Sequence, residues 1–152
     1  MIDLATALLS AVVATSPAGV NPASFSSAEL ALGGIRILDD ATTVTATKGP
    51  PLRQEQTGSD FIPVRLTYAD LVVELGGGKV RGISSQSSQS CTPAGICTGT
   101  ALSLVQSKYG PPHVRAHSAG TIWEYGIASD WCWLRLTVDR GKVDSLAVLC
   151  AP

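Results

Sequence analysis

Gly-Pro-Pro occurs twice in the chain, at 49–51 and 110–112, and the residues around the two copies correspond in order. At an offset of 61 positions Gly34-Ile35 falls on Gly95-Ile96, Val44 on Val105, and Gly49-Pro50-Pro51 on Gly110-Pro111-Pro112. At an offset of 63, Leu71 falls on Leu134, Gly78-Lys79-Val80 on Gly141-Lys142-Val143, and Ile83 on Leu146. A single two-residue insertion reconciles the offsets. Such ordered self-similarity predicts two repeats, 34–90 and 91–152, with the matching text of the second starting at Gly95. The Ser/Gln-rich stretch 84–90 joins them, and 1–33 is a separate N-terminal segment and linker.

Each repeat reads alike. Gly-Ile is followed by polar residues of the type that start helices: Asp39-Asp40 in the first copy, Thr98 or Thr100 in the second. Leu102, Val105 and Tyr109 space as one helical face, with Leu104 beside them. Glycine followed by two prolines ends the helix, because glycine tolerates positive φ and proline cannot continue the hydrogen-bond ladder. In the first copy TTVTAT is β-branched, so that helix is expected to be short or irregular. After the prolines the second copy reads as antiparallel strands at about 113–118, 121–127, 131–138 and 142–150. Asp139-Arg140-Gly141-Lys142 reads as a hairpin turn, and Gly76-Gly77-Gly78 serves the same purpose in the first copy. The expected fold is therefore α+β: two tandem repeats, each a short helical segment packed on a small antiparallel sheet.

Charge excludes some functions. Eleven basic residues against twelve acidic leave a net charge of −1, with no basic block of the kind that holds nucleic acid. Residues 1–30 contain no Lys or Arg, and 4–15 form an apolar run followed by Ser16-Pro17-Ala18, which suits the core and cleavage zone of a secretory signal. The start, Met-Ile-Asp, lacks the usual positive charge; a packed N-terminal amphipathic helix is the other reading. The run is shorter than the ~20 apolar residues of a membrane span, so no stable span is expected after signal removal. Of the four cysteines, Cys91 and Cys97 bracket a short loop, while Cys132 and Cys150 flank a hairpin. Two disulfides in a secreted or periplasmic protein fit this best; the three possible pairings, a zinc site and reduced thiols remain alternatives.

Alternation sorts the last hairpin into two faces. Cys132, Leu134, Leu136 and Val138, with Leu146, Val148 and Cys150, form the core face. Trp131, Trp133, Arg135 and Thr137 share the other. Trp and Arg are enriched among residues that dominate protein interfaces, so Trp131, Trp133 and Arg135, joined by Trp123 and Tyr125 on the neighbouring strand, are the candidate partner-binding residues. The competing reading buries this aromatic face between the repeats.

The motifs Gly95-Ile96, Gly110-Pro111-Pro112, Trp123-Glu124-Tyr125 and Gly141-Lys142-Val143, with their counterparts Gly34-Ile35, Gly49-Pro50-Pro51 and Gly78-Lys79-Val80, resemble the SmpA/OmlA and beta-lactamase-inhibitor-protein-like superfamily over about residues 34–150. The resemblance implies exported binding or assembly modules whose sheet-face aromatic residues touch a partner. No cysteine lies in the first ninety residues, so the lipid-anchored cysteine usual in SmpA/OmlA proteins has no equivalent.

Catalysis finds little support. His113 and His117, with Glu124 or Asp130, make a weak metal-ligand set, and no Gly-x-Ser-x-Gly is present. The expectation is a non-catalytic protein-binding or inhibitor-like module with no cofactor and no resident metal. The alternatives are a structural cell-envelope domain and, third, a metal-dependent hydrolase.

Overall fold

The computed structural model describes residues 24–118, 120–127 and 131–152. The signal-like run 4–15 and Asp130 therefore lie outside the described residues. A 3-10 turn (Ser27–Glu29) leads into a small ribbon of β1 (Ala31–Leu32) and β2 (Ile35–Arg36). Helix α1 (Ala41–Lys48) is followed by β3 (Arg53–Gln56), β4 (Val64–Thr67), β5 (Val72–Gly76) and β6 (Lys79–Ser85). Helix α2 (Leu102–Tyr109) is followed by β7 (His113–His117), β8 (Gly120–Gly126), β9 (Cys132–Asp139) and β10 (Lys142–Cys150).

The eight strands β3 to β10 form one antiparallel sheet in the order β3-β4-β5-β6-β10-β9-β8-β7. This corrects the expectation of two small helix-on-sheet units. The protein is mainly β, and its centre is the pairing of β6 with β10, where Val148 lies opposite Ile83 and Leu149 opposite Gly82. The physical reason is the cost of a bare edge. Each set of four strands taken alone would end on a long strand with unpaired N–H and C=O groups. Ile83 and Val148, now buried, would stand at the margin of two cores too small to be stable. The outer edges that remain are β3, Arg-Gln-Glu-Gln, and β7, His-Val-Arg-Ala-His; their charged and polar side chains disfavour further strand addition.

The core lies on one face of this sheet. Leu66, Val73, Leu75, Val80, Ile83, Leu134, Leu136, Leu146 and Val148 belong to a single buried cluster that also takes in Leu30, Leu32 and Ile35 from the N-terminal ribbon. The helices add little to it. Among buried residues α1 contributes Val44, and α2 contributes Val105 and Tyr109. So small a buried contribution is the second reason that a helix-on-sheet description fails.

Neither helix has a side-chain cap. Asp40 and Ala101 occupy the N-cap positions without a capping bond, so the expected roles of Asp39-Asp40, Thr98 and Thr100 as caps are not realised. The hairpin turns supply the acceptors instead. Ala41 N–H donates to the Gly78 carbonyl at 3.0 Å, and Leu102 N–H donates to the Gly141 carbonyl at 3.0 Å. Asp40 instead pairs with Lys79 at 2.8 Å. The β-branched α1 has the same eight-residue length as α2, because this anchoring outweighs its weak propensity.

Both helices end on glycine, at Gly49 (φ 77°, ψ −165°) and Gly110 (φ 80°, ψ −166°). This is a region occupied almost only by glycine, more restrictive than the left-handed helical cap expected from the sequence. A tyrosine hydroxyl locks each end. Tyr68 Oη donates to the Gly49 carbonyl at 3.1 Å, and Tyr125 Oη donates to the Gly110 carbonyl at 3.0 Å. Burial raises both phenol pKa values, that of Tyr125 to about 12, so the hydroxyls stay protonated donors.

Two disulfides settle the cysteine pairing: Cys91–Cys97 closes a loop, and Cys132–Cys150 crosses β9 and β10. No helix among the described residues is long and apolar enough to cross a membrane.

Replacing Gly110 by Ala is expected to lower stability by about 1–3 kcal/mol, and Gly49→Ala by a similar amount. Tyr125→Phe, which leaves the glycine carbonyl without its donor, is expected to cost about 1–3 kcal/mol. Urea unfolding with both disulfides intact measures all three. An unchanged midpoint in Gly110→Ala would show that the cap carries no such constraint.

Candidate functional site

The sheet face opposite the core is the candidate site. Strand alternation places Arg65, Val72, Glu74, Gly82, Ser84, Ser145, Ala147, Leu149, Trp133, Arg135, Thr137 and Glu124 on it, and none of these belongs to the core cluster. Side-chain size varies across the face in a regular way. The two central strands contribute Gly82 and Ser84 from β6, and Ser145 and Ala147 from β10. Long side chains stand on either side: Arg65 and Glu74 on β4 and β5, Trp133, Arg135 and Glu124 on β9 and β8. The result is a trough with a floor of small residues, interrupted by Leu149 of β10 opposite Gly82, and polar walls. A hollow of about 510 Å³ opens at one end, lined by Val72, Ser84, Ser145 and Ala147 together with Asp70.

Both walls are fixed by ion pairs. Arg65 Nη2 lies 3.0 Å from Glu74 Oε1. Opposite, Glu124 Oε1 accepts from Arg115 Nη2 at 2.6 Å and from Arg135 Nε at 3.0 Å. Partial burial works to raise the Glu124 pKa, but the hydrogen bonds and charges of Arg115 and Arg135 prevail and hold it below the usual carboxylate range. The Arg135 guanidinium in turn lies 5.9 Å from the Trp133 ring centroid. Gly126 faces Trp133 across the strands, and a Cβ there would come within 3.3 Å of the Trp133 Cβ, so the glycine makes room for the indole. The Trp133 indole nitrogen is buried and has no hydrogen-bond partner among the described residues.

Of the five aromatic and arginine residues expected to act together, only Trp133 and Arg135 share this face. Trp123 and Tyr125 lie opposite Leu136 and Leu134 and so point to the core, where Tyr125 is buried. Trp131 precedes β9 in a bend, outside the alternation that would align it with Trp133. It is 76% exposed and lines a different cavity. Glu124, which organises one wall, enters the sequence reading as a motif residue and a weak metal ligand, not as a partner of Arg115 and Arg135. Leu149 and Ala147 were legible through the period of β10, but the presence of β6 beside that strand was not.

His113 and His117 lie on the exposed edge strand β7, and His113 is opposite Glu124, whose carboxylate is taken by two arginines. Among the described residues no group of three or more His, Cys, Asp or Glu is placed to hold a metal ion. Asp70, the carboxylate at the hollow, is held by Lys48 at 2.7 Å and by the Ser90 hydroxyl at 2.7 Å. Burial acts to raise its pKa, yet Lys48 and Ser90 lower it overall.

No protein-family model matches the chain, and no curated protein matches it. Solved structures share the fold. An extracellular protein containing a SCP domain from Bacillus anthracis aligns over 92% of this chain and 50% of its own, with a TM-score of 0.58 and 12% identity. A DUF4309 family protein from Bacillus subtilis aligns over 78% and 83%, with a TM-score of 0.51 and 14% identity. A cysteine-rich secretory protein from Staphylococcus aureus aligns over 75% and 44%, with a TM-score of 0.50 and 11% identity. The chain thus spans half the length of the first and less than half of the last. Identities this low carry the fold alone. None of the three is an SmpA/OmlA or beta-lactamase-inhibitor protein.

The arginine cluster makes the wall sensitive to acid. A carboxyl whose folded pKa is depressed contributes stability above its unfolded pKa, and that contribution is lost as pH falls through the folded value. Stability is therefore expected to fall below about pH 4. Glu124→Gln should flatten part of that dependence while lowering stability at pH 7, as read from urea midpoints between neutral and acid pH. An acid slope identical to that of the parent chain would remove Glu124 from the account.

Proposed function

We propose that this chain is an exported, non-catalytic recognition domain that binds a partner protein across the trough. The observation that carries the reading is the trough itself: a floor of small side chains over β6 and β10, with Trp133, Leu149 and Val72 partly exposed around it and ion pairs on both walls. An apolar centre with a charged, hydrogen-bonding rim is the usual anatomy of a protein interface. Trp133 and Arg135 are of the residue types that most often dominate binding energy there. Walls already held by ion pairs lose less freedom on binding than free side chains do.

Export is supported by three features. The N-terminal apolar run reads as a secretory signal. Two disulfides persist best in an oxidising compartment. Two of the structural neighbours are described as an extracellular and a secretory protein. The side-by-side pairing of β6 and β10 in one sheet favours this reading over one in which the aromatic face is buried between two repeats.

A photo-crosslinking side chain placed at Leu149 is expected to form an adduct with one protein of the extracytoplasmic fraction. The adduct should be lost when Trp133→Ala and Arg135→Ala are added to a chain shown to remain folded. The same probe at Leu104, exposed on α2, should form none. Equal adducts from both positions, or an adduct indifferent to the double substitution, would retire the trough as the binding surface.

A further inference from the structure

A second cavity, of about 680 Å³, lies away from the trough, between the β1–β2 ribbon and the Cys132–Cys150 bridge. Its walls are mixed. Ile37, Leu38, Phe61 and Trp131 are apolar, Arg36 and Arg81 are cationic, and among the described residues no acidic side chain lines it. The arginines of the chain divide sharply. Arg53, Arg65, Arg115, Arg135 and Arg140 each pair with a carboxylate. Arg36 and Arg81 have no carboxylate partner among the described residues, and both line this cavity. Guanidiniums that lack a carboxylate partner keep their charge and donors available to an anion at the cavity.

Local backbone features gather at the same place. Arg81 is the extra residue of a bulge: Glu74 lies opposite Gly82 and Leu75 opposite Val80, so Arg81 has no partner in the ladder. Bulges re-aim side chains next to functional sites. The Arg81 guanidinium lies 5.6 Å from the Phe61 ring centroid and reaches the Gly76 carbonyl through Nε at 3.4 Å, and its terminal nitrogens have no hydrogen-bond partner among the described residues. The corresponding irregularity in β10 falls at Asp144, so a bulge of this kind does not itself require a cation. Leu38 has φ 67°, a left-handed conformation unfavourable for a branched side chain, and is 48% exposed. Its N–H is tied to the Val80 carbonyl at 2.9 Å, and the Asp39 carboxylate accepts the Arg36 backbone N–H at 2.9 Å rather than pairing with the Arg36 guanidinium. Trp131 closes the opposite side at 76% exposure. Strained and exposed apolar residues meeting at one cavity are the marks of a binding site rather than of a packing defect.

We propose that this cavity binds a small amphipathic anion: one carboxylate or phosphate on an apolar body, the head group held by Arg36 and Arg81, the body against Phe61, Leu38 and Trp131. The volume suits a ligand of that size, and the disulfide stiffens one wall before binding.

Decanoate, decyl phosphate and decanol, each below its aggregation concentration, test this by calorimetric titration of the full chain. At least one anion should bind saturably, with decanol about ten-fold weaker or worse. The two anions compared tell carboxylate from phosphate recognition. Arg81→Gln and Arg36→Gln should each weaken the preferred anion about ten-fold, with Arg140→Gln unchanged. In the ¹H–¹⁵N spectrum the Trp131 indole N–H should shift on binding, and that of Trp133 should not. Decanol binding as tightly as the anions, unaltered affinity in Arg36→Gln and Arg81→Gln, or no saturable binding of any probe would overturn the proposal. Arg36 is exposed on a two-residue strand, so its variant remains informative if Arg81→Gln fails to fold.

Discussion

The pairing of β6 with β10 is the contact on which the architecture rests. It joins strands far apart in sequence, places Val148 against Ile83 and Ala147 against Ser84, and turns two four-stranded groups into one sheet. The buried cluster owes its continuity to this contact, since Val80 and Ile83 from one side meet Leu146 and Val148 from the other. The same pairing brings the small residues of both strands together and so forms the trough floor. Closing two strand edges and laying the trough floor are thus one event, with opposite consequences on the two faces of the sheet.

Around that centre, irregular structure is held by a few well-placed polar groups. Glu29 Oε2 accepts from Tyr109 Oη at 2.7 Å and from the Ala94 N–H at 3.0 Å, which fastens the N-terminal turn to α2 and to the loop closed by Cys91–Cys97. Thr92 shares the Tyr109 hydroxyl. Phe25 lies against both Tyr109 and Tyr125, with ring centroids 5.1 and 5.7 Å apart. At the other helix, Lys48, Asp70 and Ser90 form the comparable tie. Each anchor satisfies groups that would otherwise be buried unpaired, at a cost of about 1–3 kcal/mol each. Helices of two turns would not persist without them.

The sequence carried the local rules well and the long-range ones poorly. The two Gly-Pro-Pro stops, the turns at Gly77-Gly78 and Arg140-Gly141, and the inward period of Cys132, Leu134, Leu136 and Val138 all follow from steric or alternation arguments that involve neighbours in the chain. The β6–β10 contact does not, because nothing in either strand names its partner; both simply present an apolar face and an edge. The separation of the five candidate residues onto different faces follows from that gap. Trp131 was aligned with Trp133 by extending the period one step past the strand's first residue, Cys132. Tyr125 was read as a contact residue, since its bond to the Gly110 carbonyl depends on where α2 ends in space. Helix caps failed for the same reason: the acceptors are hairpin carbonyls about forty residues away in the chain, at Gly78 and Gly141.

The parts of the two helix–hairpin junctions that agree and the parts that differ separate framework from surface. Gly49 and Gly110, Tyr68 and Tyr125, and the donor bonds from Ala41 and Leu102 agree, and all of them act within the fold. The differences fall elsewhere. The residue at the strand bulge is Arg81 in one case and Asp144 in the other, and the chain entering the sheet's last hairpin carries Trp131. A side chain lifted out of the ladder by a bulge contributes nothing to strand pairing, so its identity is free to be set by what it touches. That freedom is why an arginine with no carboxylate partner among the described residues can stand beside the cavity at Arg81 while the hydrogen bonding of β6 on either side of it remains intact.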